Sequence, residues 1–464
     1  MQALYASHYR LVRKPLDAQA APAPYEGWQL ETGSRLPTYP ITSCGRSIGW
    51  LLGWPTNLRP SALNLPAVND QSLTDLVHAL SGRFVVIVAV GDFQRLYLDA
   101  GGSLATVFDA KNCVVASTPL DASHKINEAV REQFGVPPRG TYYPFGITAM
   151  AGVERLIPNH FLDLQTMEQV RHWSPPEIYD HDMMSRIEEI GRLMQRNIGA
   201  MAEQYPLLMS LTAGRDSRMV LACAKPFVRD ILFFTREIDA TAASDVATAR
   251  KLAREHGLQH TILQFEASRP DVADEWQRRT GFTVSGRWWE SYTAISRLPA
   301  DRLFMPGLGV EVGRAYYRRP GDRAEDSLQV SDLLTRMRLP DVDPIRARAQ
   351  RWIDEAPTQN RFSLLDLAYL EQRVGCWASP LHYGLVPSEL AVTPVIDRRI
   401  YELMLSLPVE YRRAQLLAPD VIRLMWPELL KRPFNQPPLK ARMIQQARVM
   451  GGKVLRPLRG KRRS

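Results

Sequence analysis

Short apolar segments alternate with segments of helical periodicity in the middle of the chain. Each apolar segment has the length of one buried strand, and the four are LLMSL (207–211), DILFFT (230–235), HTILQF (260–265) and RLFMPG (302–307). Apolar residues recur at helical spacing in 183–201 and 243–257. Strands that alternate with helices favour crossover connections and therefore a parallel sheet. The pattern predicts an α/β unit around a parallel sheet, followed by a mainly helical C-terminal part.

The first 175 residues have a different pattern. Runs rich in β-branched and apolar residues occur at 82–90, 96–100 and 114–118, and turn-forming residues separate them. The Pro-rich stretch HWSPPEIYDHD (172–182) marks the change to helical periodicity. We expect two domains, a β-rich one at 1–175 and an α/β one at 180–464, as is usual for 464 residues.

Composition limits the classes of function. No apolar stretch approaches the roughly 20 residues of a membrane helix, and the four scattered cysteines are typical of a reducing, cytoplasmic location. The net charge of +9 is concentrated in the tail 440–464, which has nine basic residues and no acidic ones. We therefore expect no nucleic-acid-binding surface. The tail either contacts an anionic partner or is a solvated terminus.

The turn TAGRDS (212–217) lies between an apolar strand and a short apolar helix. Small residues at such a place let backbone N–H groups approach a phosphate, and the helix dipole favours an anion. Asp216 would repel a phosphate unless a cation lay between them, so it is a candidate Mg²⁺ ligand. Arg215 and Arg218 are candidate partners of phosphate oxygens. The alternative is an ordinary turn with Asp216 as helix N-cap. The lysine of a Walker A loop is absent.

The hexapeptide TAGRDS resembles the SGGxDS pyrophosphate loop of N-type ATP pyrophosphatases (PP-loop proteins), and within them the chain resembles the asparagine synthetase family. The resemblance extends in order along nearly the whole sequence. It is carried by GRFVVIVAV with LYLDAGGS, GVERLIPNHFLDL (152–164), ASDVATARKLAREHGLQH (243–260), FMPGLGVEVGRAYY (304–317) and TPVIDRRIYELMLSLPVEYRR (393–413).

The resemblance implies an N-terminal Ntn-hydrolase-like (glutaminase-like) domain and a PP-loop synthetase domain that uses ATP and Mg²⁺. Such enzymes activate a carboxylate as an acyl-adenylate, release pyrophosphate and form an amide with an amine or ammonia. By analogy, Thr212, Gly214 and Ser217 would hold phosphate oxygens, and Asp216 would hold the metal. Leu211 and Thr235 would lie near adenine and ribose.

The chain departs from the family at three places. Ala213 replaces a glycine of the loop, which is tolerable if φ stays negative there. In the second motif Gly307, Gly309 and Glu311 match and Val312 replaces the second acid, so that Glu311 is a candidate metal ligand or a surface glutamate. The chain begins Met1-Gln2-Ala3 and not with the cysteine of glutamine-hydrolysing members, so we expect no glutaminase activity.

Further candidates lie near the C-terminus. The helix predicted at 367–379 resembles helices that line the acyl-acceptor side, where Tyr369 or Glu371 would assist proton removal and Arg373 falls near the family's DR dipeptide. Solvent-exposed charges are the alternative for these residues. Lys431 and Lys440 are both candidates for a lysine near the α-phosphate. Asp397 is expected to cap the helix 398–406.

The sequence thus predicts an ATP-dependent carboxylate–amine ligase without glutamine hydrolysis. Its substrates are expected to be a small-molecule or peptide carboxylate and an amine or ammonia. A non-catalytic relative that binds nucleotide or a partner protein is the alternative, and the changes at Ala213 and Val312 favour it.

Overall fold

The structure is a computed structural model, and it describes residues 4–14, 24–57, 63–139, 142–237, 243–264, 266, 269–285, 289, 292–385 and 390–434. The described residues form a β-rich N-terminal unit and an α/β unit that continues into a helical C-terminal part. One buried apolar cluster contains side chains from both units. The two units therefore share a core.

The N-terminal unit is built from two sheets. Its strands are β1 (Tyr9–Arg13), β2 (Trp28–Thr32), β3 (Thr38–Ser43), β4 (Arg46–Pro55), β5 (Leu63–Leu65), β6 (Gly82–Val90), β7 (Phe93–Leu98), β8 (Val107–Asp109), β9 (Val114–Ala116), β10 (Val153–Arg155), β11 (His160–Asp163) and β12 (Gln169–Arg171). The five-stranded sheet has the order β10-β8-β9-β1-β2, and the seven-stranded sheet has the order β12-β11-β7-β6-β4-β3-β5. All neighbours are antiparallel except β3 and β5, which are parallel.

Strand β6 shows how the sheets are packed. Side chains of a strand alternate between its two faces. Val85 and Ile87 belong to the cluster that also holds side chains of the five-stranded sheet, such as Leu11. Phe84 and Val86 belong to a second cluster with Leu73 of helix α1 (Asp70–Ala79). The seven-stranded sheet therefore lies between the other sheet and α1. The glutaminase-like identity of this unit remains a prediction.

The α/β unit contains a four-stranded parallel sheet, as predicted. Its strands are β13 (Leu207–Ser210), β14 (Ile231–Glu237), β15 (His260–Gln264) and β16 (Leu303–Met305), in the order β15-β14-β13-β16. The long helix α4 (Met183–Gln204) leads into the sheet and buries Ile187, Ile190 and Met194 on one face. Because the strands are parallel, the segments that leave β13 and β16 start from the same edge of the sheet.

The remaining helices are mostly short. They are α2 (Pro119–Ala122), α3 (Glu128–Phe134), α5 (Arg215–Cys223), α6 (Ala243–His256), α7 (Pro270–Arg279), α8 (Tyr292–Ile295), α9 (Val330–Met337), α10 (Asp343–Asp354), α11 (Arg361–Leu367), α12 (Ser379–Leu381), α13 (Arg398–Ser406), α14 (Val409–Arg413) and α15 (Leu417–Met425). Single turns of 3₁₀ helix occur at Lys225–Phe227, Val310–Arg314, His382–Gly384 and Pro427–Lys431. In the described part of the chain, no helix combines the length and apolar character needed to cross a membrane.

Between α11 and α12 the chain forms a π-helix, Ala368–Ala378, where the sequence predicts an ordinary helix. This segment packs directly against the N-terminal unit. A Cβ atom added to Gly375 would lie 2.3 Å from Cδ of Pro158, so only glycine allows this approach. On the following helix, the Ser379 hydroxyl donates a hydrogen bond of 2.8 Å to the carbonyl oxygen of Gly101. The π-helix is therefore part of the contact between the two units. The π-helix is rare, and its usual form, a single π-turn within an α-helix, often occurs at functional sites.

Candidate functional site

The turn after β13 is held together by its own hydroxyl groups. Thr212 Oγ1 and Ser217 Oγ lie 2.7 Å apart, and the N–H of Gly214 donates to Thr212 Oγ1 over 3.1 Å. Gly214 is the N-cap of α5 in an extended conformation, with φ −69°. Ala213 is not among the described residues with positive φ, so its Cβ causes no backbone strain. The turn therefore ends at a helix N-terminus, where backbone N–H groups lack helical partners.

One N–H group of this turn already has an acidic partner. The N–H of Ala213 donates to Oδ1 of Asp245 over 2.8 Å. Asp245 lies in the first turn of α6. Asp245 carries no functional signal in the sequence, because one aspartate near a helix start is usually only a favourable helix-end charge.

The turn after β16 meets the turn after β13. A Cβ atom added to Gly307 would lie 3.6 Å from Cβ of Asp216 and 3.6 Å from the backbone nitrogen of Ser217. Gly309 has φ +94°, a conformation that favours glycine, and its N–H donates to Oε2 of Glu311 over 3.1 Å. The structure thus brings the two predicted motifs, roughly ninety residues apart, to one edge of the sheet.

Three charged side chains converge where the turns meet. Asp216 forms an ion pair with Arg314, the last residue of the 3₁₀ helix Val310–Arg314. Burial raises the pKa of Asp216, and Arg314 opposes this shift. Burial, and then the negative charge of Asp216, raises the pKa of Glu311 to about 7. The two carboxylates are therefore close enough to influence each other.

Asp216 and Glu311 would suit a magnesium ion whose other ligands are substrate phosphates and water. Magnesium is usually bound by one or two carboxylates together with substrate phosphates and water. Two interacting carboxylates meet that requirement, although Arg314 already compensates one of them. Among the described residues, no group of three or more His, Cys, Asp or Glu side chains could form a closed metal site.

The two arginines of the turn have different environments. Arg215 Nη1 donates to Oε1 of Gln415 over 2.7 Å, and its guanidinium lies 5.6 Å from the ring centre of Phe434. Arg218 is fully buried and donates to the carbonyl oxygens of Ala213, Leu429, Arg432 and Pro433. Its placement therefore indicates that Arg218 holds the C-terminal segment against the turn, and it does not support the predicted phosphate contact.

The strand ends predicted to lie near adenine and ribose are buried. The Thr235 hydroxyl donates to the carbonyl oxygen of Leu211 over 2.7 Å and lies 2.8 Å from Nε2 of His260. Both Leu211 and Thr235 are almost completely buried. These contacts connect the residue after β13 with β14 and with the first residue of β15. The predicted nucleotide contacts of Leu211 and Thr235 remain predictions.

Glu371 was expected near the acceptor or, alternatively, on an exposed helix face, and both it and the neighbouring Gln372 are fully buried in the contact between the units. Arg171 contacts Glu371 through two hydrogen bonds of 2.5 and 3.0 Å, and Asn159 and Trp352 donate to the same carboxylate. Arg171 and the hydrogen bonds lower the pKa of Glu371 against the effect of burial. All of this indicates an ionised structural carboxylate. A solvent-exposed position is excluded by burial, and the surroundings do not support a role in proton removal.

Tyr369 and Arg373 both lie on the π-helix, and each packs against aromatic rings. The ring of Tyr369 packs 5.1 Å from Tyr316 and 5.6 Å from Tyr317, measured between centroids. Burial, and then the charge of Glu311, raise the pKa of the Tyr369 phenol, so it stays protonated near neutrality. The guanidinium of Arg373 lies 3.8 Å from the ring centre of Trp377. The negative charge of Glu311 therefore acts on Tyr369. The protonated phenol is better suited to donate a hydrogen bond than to remove a proton.

Two other predicted residues have clear placements. Lys431 is exposed at the end of its 3₁₀ helix. Burial lowers the pKa of His256, and the charge of Lys431 adds to that shift. Lys440 and the tail 440–464 lie outside the described residues. Asp397 caps α13, as predicted, because its Oδ1 accepts from the N–H groups of Arg399 and Ile400.

Besides Asp245, sequence reasoning missed Arg314 and Tyr401 at this site. A Cβ atom on Gly309 would lie 2.8 Å from the Tyr401 hydroxyl. Within the described part of the chain that hydroxyl has no hydrogen-bond partner. Burial, followed by Asp99 and Glu311, raises the pKa of Tyr401. The spacing of Arg314 three residues after Glu311 was a usable signal, because i and i+3 side chains share a helix face.

Comparisons with known proteins add little to this geometry. No protein-family model and no curated protein matches the chain. Among solved structures, a glutamine-dependent NAD⁺ synthetase from Acinetobacter baumannii in complex with ADP is 16% identical over 30% of this chain and 26% of its own length, with a TM-score of 0.18. An NMN synthetase from Francisella tularensis is 14% identical over 45% of this chain and 99% of its own, with a TM-score of 0.22. Likenesses this weak carry no argument about function.

Proposed function

We propose that the protein is an ATP-dependent carboxylate–amine ligase that forms an amide through an acyl-adenylate, in the manner of the asparagine synthetase family. The observation that carries the proposal is the contact between the two turns. Gly307, after β16, packs against Asp216 and Ser217, after β13, at the edge of a parallel sheet where ligands commonly bind. Both turns carry the residue types that a nucleotide site needs.

The chain's own groups suit the first half of this reaction. The substrate carboxylate attacks the α-phosphorus of ATP, and the bond from that phosphorus to pyrophosphate breaks. Backbone N–H groups at the start of α5 would hold the leaving phosphates, and Arg215 and Arg314 would neutralise charge that accumulates on them. A magnesium ion held by Asp216 and Glu311 would add charge compensation on the phosphates when bound.

In the second half, an amine attacks the acyl carbon and AMP leaves. The aromatic cluster around Tyr369 lies near Glu311 and supports an acceptor pocket on that side. We propose Arg373 as a residue that contacts the acyl group or the adenylate there. Lys431 remains the predicted lysine near the α-phosphate. Because its side chain is exposed, a substitution there tests the prediction directly.

The decisive experiment measures pyrophosphate release by the full-length protein with Mg·ATP and a panel of carboxylates, including aspartate, sugar acids and peptides. We expect one class of acid to release pyrophosphate, and Asp216→Ala to abolish that release. Asp271→Ala, which changes an exposed aspartate on α7, is the control that should keep full activity. Pyrophosphate release that survives Asp216→Ala would contradict the assignment of the turn.

The nitrogen donor is tested separately. With an accepted acid, ammonia and a panel of amines are compared with glutamine, and glutamate is measured. We expect product with an amine or ammonia and no glutamate from glutamine. Glutamate production would show that the N-terminal unit hydrolyses glutamine.

The non-catalytic alternative has its own support. Asp216 is already paired with Arg314, and the N–H of Ala213 already has Asp245 as acceptor. Both features compete with ligands of an active site. Tight binding of ATP without pyrophosphate release from any acid would favour this alternative.

A further inference from the structure

The chain returns to the turn at 212–217 through a C-terminal strap, which we define as residues 427–434. The strap begins with the 3₁₀ helix Pro427–Lys431. Leu429 is fully buried, and the partly buried ring of Phe434 packs against the main core. The strap is therefore anchored in the fold, next to the residues that form the turn.

Arg218 joins the strap to the turn. Its Nη2 donates to the carbonyl oxygen of Ala213, in the turn, over 2.9 Å and to that of Pro433, in the strap, over 2.8 Å. Its Nη1 donates to the carbonyl oxygens of Leu429 and Arg432, which also belong to the strap. One guanidinium group thus provides hydrogen bonds for both segments.

Undocking of the strap would leave Arg218 poorly compensated. Burial lowers the pKa of Arg218 to about 10, and the charge of Asp245 opposes this shift only in part. Three of the four carbonyl oxygens that Arg218 contacts belong to the strap. A buried charge without hydrogen-bond partners is strongly unfavourable. Without the strap, the side chain would therefore move towards water and release the carbonyl group of Ala213.

Phe434 connects the strap to Arg215 as well. Its ring centre lies 4.3 Å from the guanidinium of Arg218 and 5.6 Å from that of Arg215. A cation above an aromatic ring is attracted to it. A surface ion pair between Arg432 and Glu255 of α6 holds the same part of the strap. The position of Arg215, a candidate phosphate partner, therefore depends on the docked strap.

We propose that Arg218 is a positioning residue that couples the conformation of the turn at 212–217 to docking of the strap. With the strap docked, Arg218 fixes the carbonyl group of Ala213 and Phe434 packs on Arg215. A ligand that binds this form of the turn must strengthen docking by the same factor by which docking strengthens its binding. The inference rests on the proposed function for the identity of that ligand, Mg·ATP, and the coupling itself requires no catalysis.

The first test needs no ligand. Hydrogen exchange of the full-length protein is measured by mass spectrometry of its peptides. In Arg432→Gln/Phe434→Ala, which weakens docking of the strap, we expect exchange in the peptide 207–218 to be at least about fivefold faster. The matched control is Arg423→Gln/Leu424→Ala, which changes an arginine of a surface ion pair and an exposed apolar side chain of α15. Equal exchange in the two double variants would overturn the proposal.

Arg218→Lys tests the connection itself. Lysine keeps the positive charge, but its compact ammonium group lacks the fork of donors that reaches both segments. We expect faster exchange in the turn peptide 207–218 and in the strap peptide 427–434. Faster exchange in only one of the two peptides would show that the segments are held independently, which contradicts the coupling.

Mg·ATP is then added to the full-length protein without any acid. We expect it to slow exchange in the strap peptide, and Asp216→Ala should abolish this protection because the ligand acts through the turn. By calorimetry, Arg432→Gln/Phe434→Ala should bind Mg·ATP about tenfold more weakly than Arg423→Gln/Leu424→Ala. Protection of the strap that survives Asp216→Ala, or equal affinities of the two double variants, would overturn the proposal.

These results can be distinguished from those for the proposed ligase. Coupled binding of Mg·ATP without pyrophosphate release from any acid would refute the ligase and keep the coupling. Pyrophosphate release with equal affinities of the two double variants would keep the ligase and refute the coupling. Failure of the original protein to bind Mg·ATP would refute both.

Discussion

The guanidinium of Arg314 lies against the carboxylate of Asp216, where the turns after β13 and β16 meet. Both side chains are about a quarter exposed, at 23% and 22%. The pair is therefore partly accessible to solvent where the two turns meet. A cation attached to the chain performs part of the charge compensation that a free metal ion would otherwise provide.

Replacing Arg314 by Gln should increase the affinity of the protein for Mg²⁺ alone. The change removes the cation that pairs with Asp216 and leaves Asp216 and Glu311 as two interacting carboxylates, so we expect a gain of about tenfold, or about 1.4 kcal/mol. Calorimetric titration with MgCl₂ measures the gain. Arg413→Gln, which removes the arginine of an exposed pair with Glu410, should have no effect. Unchanged magnesium affinity in Arg314→Gln would show that the two carboxylates do not form a metal site.

Substitutions at the two glycines of the second turn should differ in stability. Gly309→Ala forces alanine into φ +94° and brings its Cβ within 2.8 Å of the Tyr401 hydroxyl, so we expect a loss of more than about 1–2 kcal/mol. Gly307→Ala meets its neighbours at ordinary contact distance and should cost less than about 1 kcal/mol. Urea unfolding compares the two variants. Equal losses would mean that the turn is not held in the described conformation.

Glu371→Gln should destabilise the fold without a specific effect on chemistry. The substitution leaves the Arg171 guanidinium without its buried counter-charge, which typically costs about 3–5 kcal/mol. Unfolding in urea gives the loss, and activity is then expressed per folded molecule. Glu410→Gln, on the surface, is the control. A variant that is stable but inactive would restore Glu371 as a catalytic candidate.

The pair formed by His78 of α1 and His172, the residue after β12, should make stability depend on pH. His78 Nε2 and His172 Nδ1 lie 3.1 Å apart, and burial lowers the pKa of His78 to about 4 and that of His172 to about 2. The unfolded chain, with histidines near their usual 6.5, then binds more protons than the folded one. Stability contributed by the neutral pair is therefore lost as the pH falls below 6.5.

Urea unfolding at several pH values between 7 and about 4 tests this dependence. His172→Gln removes the more strongly shifted group, so the loss of stability with falling pH should be shallower than in the original protein. His124→Gln serves as the control, because that histidine belongs to a short connection after α2. Equal slopes for the original protein and His172→Gln would contradict the assignment.

The parallel sheet was predictable because short continuous stretches of sequence determine each of its strands and helices. Four apolar segments of strand length and the intervening helices have clear boundaries in the sequence, and the observed strands agree with them to within a few residues. The meeting of Gly307 with Asp216 followed from the rule that parallel strands end at a common edge. The N-cap of α13 was predictable because the hydrogen bonds of Asp397 reach only as far as the third residue after it.

The environments of Arg218 and Glu371 could not be read from the sequence. Their partners come from distant segments: residues 429–433 for Arg218, and Asn159 and Arg171 for Glu371. A charged residue on a helix pattern is usually solvated, and only tertiary packing reveals a buried counter-charge. The π-helix around Gln372 was hidden for a related reason, because hydrogen bonds shifted by one residue leave the apolar spacing nearly intact.

In the proposed phosphate site, the Asp245 carboxylate would occupy the place of a phosphate oxygen at the Ala213 N–H. An acceptor supplied by the chain keeps the turn in one conformation before any ligand arrives, which lowers the ordering cost of binding. The same acceptor must be displaced, or must move aside, for a phosphate to take this N–H. Under the proposed function, the turn would thus select against weak anions, because an incoming ligand would have to offer a better acceptor than Asp245.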